Sequence, residues 1–456
     1  MSNFSPLSVT ANPQTPSSRL RVLVLSNGHG EDVIAARIIQ ELQQHPNSPD
    51  IFALPLVGEG HAYQKLDIPL IGSVRTMPSG GFIYMDGRQF LRDIHGGLLQ
   101  LTLNQIQAMR RWIDSPIQSD YRKAILAVGD IVPLSFACLS GANYAFVGTA
   151  RSEYYVRDEV GLLKRKTKAA FLDNFSGSVY HPWERWLMSR RRCKAVFPRD
   201  SLTTKILNKW SIPAYDLGNP MMDGLEPTTV SRFYHANAEQ QELARPMVVT
   251  LLPGSRPPEA YANWQLMMIA VSVLMALFQE RNFPAYSYSR EVVFLAAIAP
   301  SLHYGSMRQI LQSQGWLLCS DSPIQIADST ALTFRQNNAH FILAQNAYND
   351  CLHSGDLALA MAGTATEEFV GLGKPVITIP GNGPQFTPSF AEAQSRHLGA
   401  SVILVNRPEE VAEVVRSLLA HPDKLHVIAE NGMRRMGKPG AAKRIAECFM
   451  KQLGNE

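Results

Sequence analysis

Cysteine is scarce: Cys138, Cys193, Cys319, Cys351 and Cys448 are scattered over 456 positions. An odd, dispersed set does not make a disulfide framework and fits a reducing compartment such as the cytoplasm. No CxxC pair or Cys/His cluster is present, which removes the usual zinc signatures. Charge of one sign is also lacking. The formal net charge of +4 is too small to imply a nucleic-acid partner. The longest apolar run, Leu266–Phe278, is too short to cross a bilayer. The residues through Ser18 lack an apolar segment, so they do not form a secretory signal. Their Ser, Pro, Asn and Thr content reads as a disordered tail. The lack of Arg and Lys before Arg19 weakens a plastid-transit reading.

What is present suits a large soluble protein. Hydrophobic residues make up 45% and charged residues 18%, and 456 residues exceed one hydrophobic core. The run Arg21–Leu25 is β-branched and is followed by a glycine turn, then by a helical pattern over Val33–Gln43. That is the opening of a doubly wound α/β sheet. Further strands are expected at Ile51–Leu56, Ala124–Val128 and Tyr144–Val147. A second start appears at Met247–Leu252, then a helix over Tyr261–Gln279 and strands at Val292–Ala297, Leu357–Met361 and Val376–Ile379. The segment from Asp321 to Ala344 has no clear period. Gly218–Pro246 reads as the linker. The expected division is a tail at 1–18, a first domain at 19–222, a second at 223–430 and a final helix within 431–456.

Five motifs carry chemistry. Ser26–Asp32 reads SNGHGED. Its glycines allow close approach of a ligand, and the next helix N-terminus favours anions. Gly28, Gly30 and Glu31 are candidate substrate contacts, and His29 is a candidate base because imidazole titrates near neutral pH. Glu31 and Asp32 also suit an ordinary acidic first helical turn. The spacing is not G-x-G-x-x-G, so a nicotinamide cofactor is not favoured; no cofactor or metal is assigned. Asp130 ends the strand-like Ala127-Val128-Gly129-Asp130, either as general base on a hydroxyl or as cap of the next turn.

The other three lie in the second half. In Pro253-Gly254-Ser255-Arg256, Gly254 and Ser255 offer N–H groups and Arg256 a planar fork to a departing diphosphate. In Ala362–Glu368, the turn at Gly363, Thr364 and Thr366 suits phosphate, and Glu368 suits ribose hydroxyls. Thr364 and Glu367 also have capping-box spacing. In Gly381–Gly399, Gln385, Glu392 and Gln394 are available to sugar hydroxyls, or belong to an ordinary loop and helix. Separately, Arg151–Arg199 holds twelve Lys/Arg against five Asp/Glu, with Phe171, Phe175, Tyr180, Trp183, Trp186 and Phe197. That pattern suits an anionic membrane surface or a lipid-linked substrate; a solvated basic face with core aromatics is the other reading.

LLPGSR, GTATEE and Gly218-Asn219-Pro220-Met221-Met222-Asp223 together resemble lipid-A-disaccharide synthase, loosely from Arg21 to Glu447. The chain is also similar to cyanobacterial proteins related to that synthase. The resemblance implies a GT-B fold, with two Rossmann-like doubly wound domains facing across a cleft. It implies a UDP-sugar held by the second domain and an acceptor held by the first. It further implies inverting, metal-independent transfer at the inner face of the cytoplasmic membrane, with Asp130 and Arg256 essential and the last helix crossing back to the first domain. The first half departs from the family: a second Asp after Asp130 is missing, the family's E-A-S-G-D turn reads N-G-H-G-E-D, and its Trp-rich segment reads Tyr180-His181-Pro182-Trp183-Glu184-Arg185-Trp186. The acceptor is therefore open. The expected activity is transfer of a hexose or N-acetylhexosamine from a UDP-sugar to a lipid-linked or membrane-associated acceptor. A UDP-sugar 2-epimerase of the same fold and a non-catalytic nucleotide-sugar-binding protein are the alternatives.

Overall fold

The computed structural model describes residues 19–72, 98–116, 121–163, 176–229, 246–280 and 291–454. The expected tail, together with Phe171 and Phe175 of the basic stretch and 230–245 of the linker, lies outside them. The described residues form two compact units. One draws on Met1–Ala150, Trp183–Phe197 and Ala442–Glu456; the other on Arg151–Pro182 and Pro198–Ala441. The linear reading set boundaries after 222 and after 430, with the last helix returned to the first domain. In space the chain changes unit several times, because strand addition and helix docking follow pairing partners rather than sequence order.

The first unit contains β1 (Arg19–Ser26), α1 (His29–Gln44), β2 (Asp50–Pro55), α2 (His61–Gln64), α3 (Leu98–Asp114), β3 (Tyr121–Gly129), α4 (Ile131–Ser140), β4 (Asn143–Gly148), α5 (from Trp183; Pro182–Met188) and β5 (Cys193–Pro198). The sheet order is β2-β1-β3-β4-β5, and β1 pairs parallel with both β2 and β3. The inner strands are nearly continuous runs of buried apolar residues, Val22–Leu25 and Ala124–Val128 among them, as strands covered on both faces must be. The C-terminal helix also belongs to this unit, where Arg122 Nη2 donates to the Gly454 carbonyl at 2.8 Å.

The second unit adds α6 (Ser201–Asn208), β6 (Met247–Leu252), α7 (Glu259–Phe278), β7 (Val292–Ala297), α8 (Tyr304–Ser313), β8 (Leu317–Cys319), β9 (Leu332–Gln336), β10 (Ala339–Ala344), α9 (Tyr348–Ser354), β11 (Leu357–Ala360), α10 (Thr364–Gly371), β12 (Val376–Thr378), α11 (Pro388–Leu398), β13 (Val402–Leu404), α12 (Val411–Leu419) and α13 (Pro422–Met436). The C-terminal helix is α14 (Ala441–Leu453). The sheet order is β13-β12-β11-β6-β7-β10-β9-β8. Pairing is parallel from β13 to β10 and antiparallel from β10 to β8.

Two expectations change. The apolar run at 266–278 is part of a longer helix, α7, which at 20 residues is long and apolar enough to cross a membrane by composition. Its Trp264, Met267, Val271 and Leu274 are buried in one cluster with Val249, Leu251 and Phe294, so the apolar content is accounted for by the core. The unreadable segment after Asp321 ends in the β9–β10 hairpin. Asn337 takes a φ of 52° at its turn, a left-handed conformation that Asn tolerates. Asp328 anchors this region through the N–H groups of Thr330, Gln345 and Asn346. Burial acts to raise its carboxyl, but those hydrogen bonds and the Thr330 hydroxyl hold it down at about 2.

Candidate functional site

Each sheet has one place where strand order reverses, and the sequence motifs fall there. In the second unit the chain runs from β6 outward through β7 and β10, then returns to the other side of β6 at β11. Such a reversal opens a crevice at the carboxyl ends of the two flanking strands. Pro253–Arg256 leaves β6 and Met361–Thr364 leaves β11, with Leu252 beside Ala360 in register.

Buried Asn263 of α7 joins the two turns. Its Nδ2 donates to the Pro253 carbonyl at 3.0 Å and to the Met361 carbonyl at 3.3 Å. Gly254 has φ +96°, and a Cβ there would lie 3.3 Å from the Met361 oxygen, so both backbone and space call for glycine. Ser301 Oγ donates to the Ser255 carbonyl at 2.7 Å. Ser255 and Arg256 are exposed, as is Thr364 at the start of α10. One helical turn before Asn263, buried Glu259 accepts from the N–H groups of Gln385 (3.2 Å) and Phe386 (2.6 Å). Three loops thus gather on the first turns of α7. Glu259 and Asn263 were absent from the sequence reading, although two polar residues four apart on an apolar helix were a readable signal.

Several expected contacts are redirected. Thr366 is fully buried and gives its hydroxyl to the Ala362 carbonyl at 2.7 Å, so it shapes the turn rather than offering a donor to phosphate. Gln394 is buried too. Its Nε2 donates to the Ala362 and Gly363 carbonyls, both at 3.1 Å, which fixes the same turn. The Gln385 side chain is half-buried while its backbone is held by Glu259. The capping box does not form: Gly363 is the N-cap of α10 without a side-chain hydrogen bond. Glu367 instead makes a buried ion pair with Arg199 at 2.6 Å. Glu368 is buried and accepts from the Tyr348 hydroxyl, a partner supplied by the first residue of α9.

In the first unit the reversal lies between β1 and β3, where Ser26 pairs with Val128. Gly28 caps α1, and His29 and Gly30 are exposed in its first turn. Asp130 is the N-cap of α4. Its Oδ1 accepts from Val132 N–H at 2.9 Å and from Asn27 Nδ2 at 2.7 Å. Asp130 is therefore the cap of the next turn, just past the carboxyl end of β3. Glu31 is half-buried beside it. Burial raises its carboxyl above the usual range, a backbone hydrogen bond opposes this, and the Asp130 charge adds to it.

Asp32 faces inward. Its Oδ1 accepts from Ser26 Oγ, which is itself hydrogen-bonded to the buried Tyr63 hydroxyl. Burial raises the Asp32 carboxyl; the Ser26 bond opposes this, the Glu31 charge adds to it, and it titrates at about 6. A folded pKa above the unfolded value near 3.8 contributes stability at pH below 3.8, which is lost as pH rises through 6. Asp32→Asn should therefore be more stable than the parent by about 2–3 kcal/mol at pH 8, with the advantage gone near pH 4. Urea unfolding of both chains at pH 4 and pH 8 measures it; an advantage independent of pH would refute the assignment.

No protein-family model matches the chain, and no curated protein sequence matches it significantly. Solved structures do match. UDP-GlcNAc 2-epimerase from Neisseria meningitidis, bound to UDP-GlcNAc, aligns with a TM-score of 0.52 at 16% identity, over 94% of this chain and 100% of that one. MurG of Acinetobacter baumannii aligns with a TM-score of 0.51 at 13% identity, over 94% and 99%. CalG4, the calicheamicin glycosyltransferase, aligns with a TM-score of 0.53 at 13% identity, over 96% and 99%. At these identities the likeness is one of fold: two Rossmann-like α/β domains of the GT-B type.

Proposed function

We propose that this chain is a glycosyltransferase of the lipid-A-disaccharide synthase type. It moves a hexose or N-acetylhexosamine from a UDP-sugar to a lipid-linked or membrane-associated acceptor, with inversion, at the cytoplasmic face of the inner membrane. The observation that carries the reading is the convergence of two phosphate-type turns on the strand reversal of the second unit, joined by Asn263. In this reading the N–H groups of Gly363 and Thr364, with Ser255 and Arg256, hold the diphosphate. Glu368 holds ribose, and its bond to Tyr348 keeps the carboxylate in one orientation. Arg256 neutralises the charge that grows on the diphosphate as the glycosidic bond breaks.

The acceptor belongs to the first unit. Trp183 and Trp186 are 57% and 54% exposed there, and Arg190 stacks 4.4 Å over the Trp186 ring, next to Arg191 and Arg192. Exposed tryptophans with adjoining cations favour an anionic lipid interface, which supports a membrane-associated acceptor.

A UDP-sugar 2-epimerase is the second reading. The carboxylate group at the first unit's strand reversal favours it, since epimerisation needs proton transfer, and so does the fold likeness to the Neisseria enzyme. Calorimetry with UDP and UDP-sugars tests the common premise. Arg256→Ala should lose about tenfold to a hundredfold in UDP affinity. Product analysis by NMR separates the readings: a new glycoside means transfer, and an altered sugar on UDP means epimerisation. Absence of any nucleoside diphosphate binding would sink both.

A further inference from the structure

The antiparallel end of the second unit's sheet takes no part in the strand reversal. β8 lies four strands from β6 in the sheet order. It is also the last strand. It pairs antiparallel with β9, and its other edge has no strand partner among the described residues. An open edge presents backbone N–H and C=O groups to any strand that fits it.

Natural sheets guard such an edge with charge, proline or a covering element. Residues 314–320 read QGWLLCS, without a charge or a proline. Leu317 is 72% exposed and Leu318 is 52% exposed. They lie on opposite faces, because side chains alternate along a strand. Leu318 is in register with Phe334, which is buried with Trp316 in the cluster that α7 covers, so Leu318 is on the α7 face. Leu317 shares the other face with Arg335, its partner in register on β9.

This edge matches itself. Two antiparallel copies of β8 about a two-fold axis at Leu318 set Leu318 against Leu318 and Leu317 against Cys319. No like charges oppose one another in that pairing. Just beyond it, unlike charges approach. Asp321 of one copy is two residues past Cys319, and Arg335 of the other copy is one strand behind Leu317, on the same face. At the usual strand spacings their Cα atoms are about 12 Å apart, a span the two side chains together close. Symmetry makes the contact twice. Both groups are exposed, and each makes a long local contact: Ser320 Oγ donates to Asp321 Oδ1 at 3.4 Å, and Arg335 Nε donates to the Asn337 carbonyl at 3.4 Å.

We propose that β8 is a dimerisation strand: a second copy of this chain adds to its open edge, antiparallel about Leu318, with Arg335 of each copy paired to Asp321 of the other. Two eight-stranded sheets thereby join edge to edge. A strand of three residues offers few backbone hydrogen bonds, so the leucines and the two ion pairs carry much of the affinity. The dimer is expected in the micromolar range.

Sedimentation velocity of the full chain tests this, from about 1 to about 100 µM and with a reductant so that Cys319 does not cross-link. Monomer is expected at the low end and dimer at the high end. Leu318→Lys sets two ammonium groups face to face and should weaken the dimer about tenfold or more. Arg335→Asp and Asp321→Arg should each weaken it about fivefold. The double variant should return to within about twofold of the parent, since the reversed charges again meet unlike partners. A general folding defect does not produce that recovery. The four chains should melt within about 2 °C of the parent, because every substituted position is exposed. A parent that stays monomeric throughout overturns the proposal. So does a dimer that Leu318→Lys leaves intact, and so does a double variant no better than the single ones. Nucleotide binding is not part of the readout, so failure of the transferase reading leaves the dimer standing.

Discussion

Arg199→Ala is expected to lower the stability of the second unit by about 3–5 kcal/mol, the cost of leaving a buried charge without its partner. Arg199 and Glu367 are both buried, and their 2.6 Å contact is the direct compensation for the Glu367 charge. His397 lies 3.6 Å from the same carboxylate and cannot take over. Burial, then the charges of Arg199 and Arg435, push its imidazole well below the usual value, so it is neutral at pH 7. Tyr155 stacks on His397 at 4.5 Å between ring centres and encloses the group further. Arg199→Met combined with Glu367→Leu should recover most of the loss, because it removes both charges. Urea midpoints followed by tryptophan fluorescence, with buried Trp264 and Trp316 as reporters, measure both. A loss below about 1 kcal/mol in the single variant would show the pair to be as weak as a surface one.

The second large effect is expected at Asn263. Asn263→Leu fills similar volume but removes the donor to two buried carbonyls, at Pro253 and Met361. At about 1–3 kcal/mol for each orphaned acceptor, the chain should lose about 2–5 kcal/mol. The same change frees the two turns from each other. UDP affinity should fall about tenfold or more, even though Asn263 is only 2% exposed and sits beneath the turns rather than in front of them. Asn263→Asp tests the direction: a carboxylate facing two carbonyl oxygens should be worse than leucine. If Asn263→Leu binds UDP as the parent does, the turns do not need their tie, and the donor site would have to be sought elsewhere.

Much of the parallel architecture was legible. Met247–Leu252 and Val292–Ala297 form strands with the bounds their apolar runs suggest, since a strand covered on both faces has no polar positions to blur its ends. The hairpin of β9 and β10 was missed because its only turn signal was Asn337-Asn338, and β9 alternates weakly. The strand-end motifs were placed correctly in the chain, but the duties of individual side chains were not readable. Thr366 and Gln394 look like ligand donors in one dimension. In three they are spent on the carbonyls of the turn that carries the candidate phosphate site.

Sequence by itself determined where strands end in glycine and acid, because apolar periodicity and turn chemistry are local. It thereby determined two doubly wound units and the loops at their edges. Tertiary structure alone decided which carboxylate faces which partner. Asp32 turns to Ser26, itself bonded to Tyr63, Asp130 is taken up by Asn27 and α4, and Glu31 is left half-buried with the Asp130 charge helping to raise its carboxyl. The three acids lie within reach of one another because β1 pairs with β3 across about a hundred residues of intervening chain. Charge, burial and hydrogen bonding act through space, and residue spacing along a chain carries none of that distance.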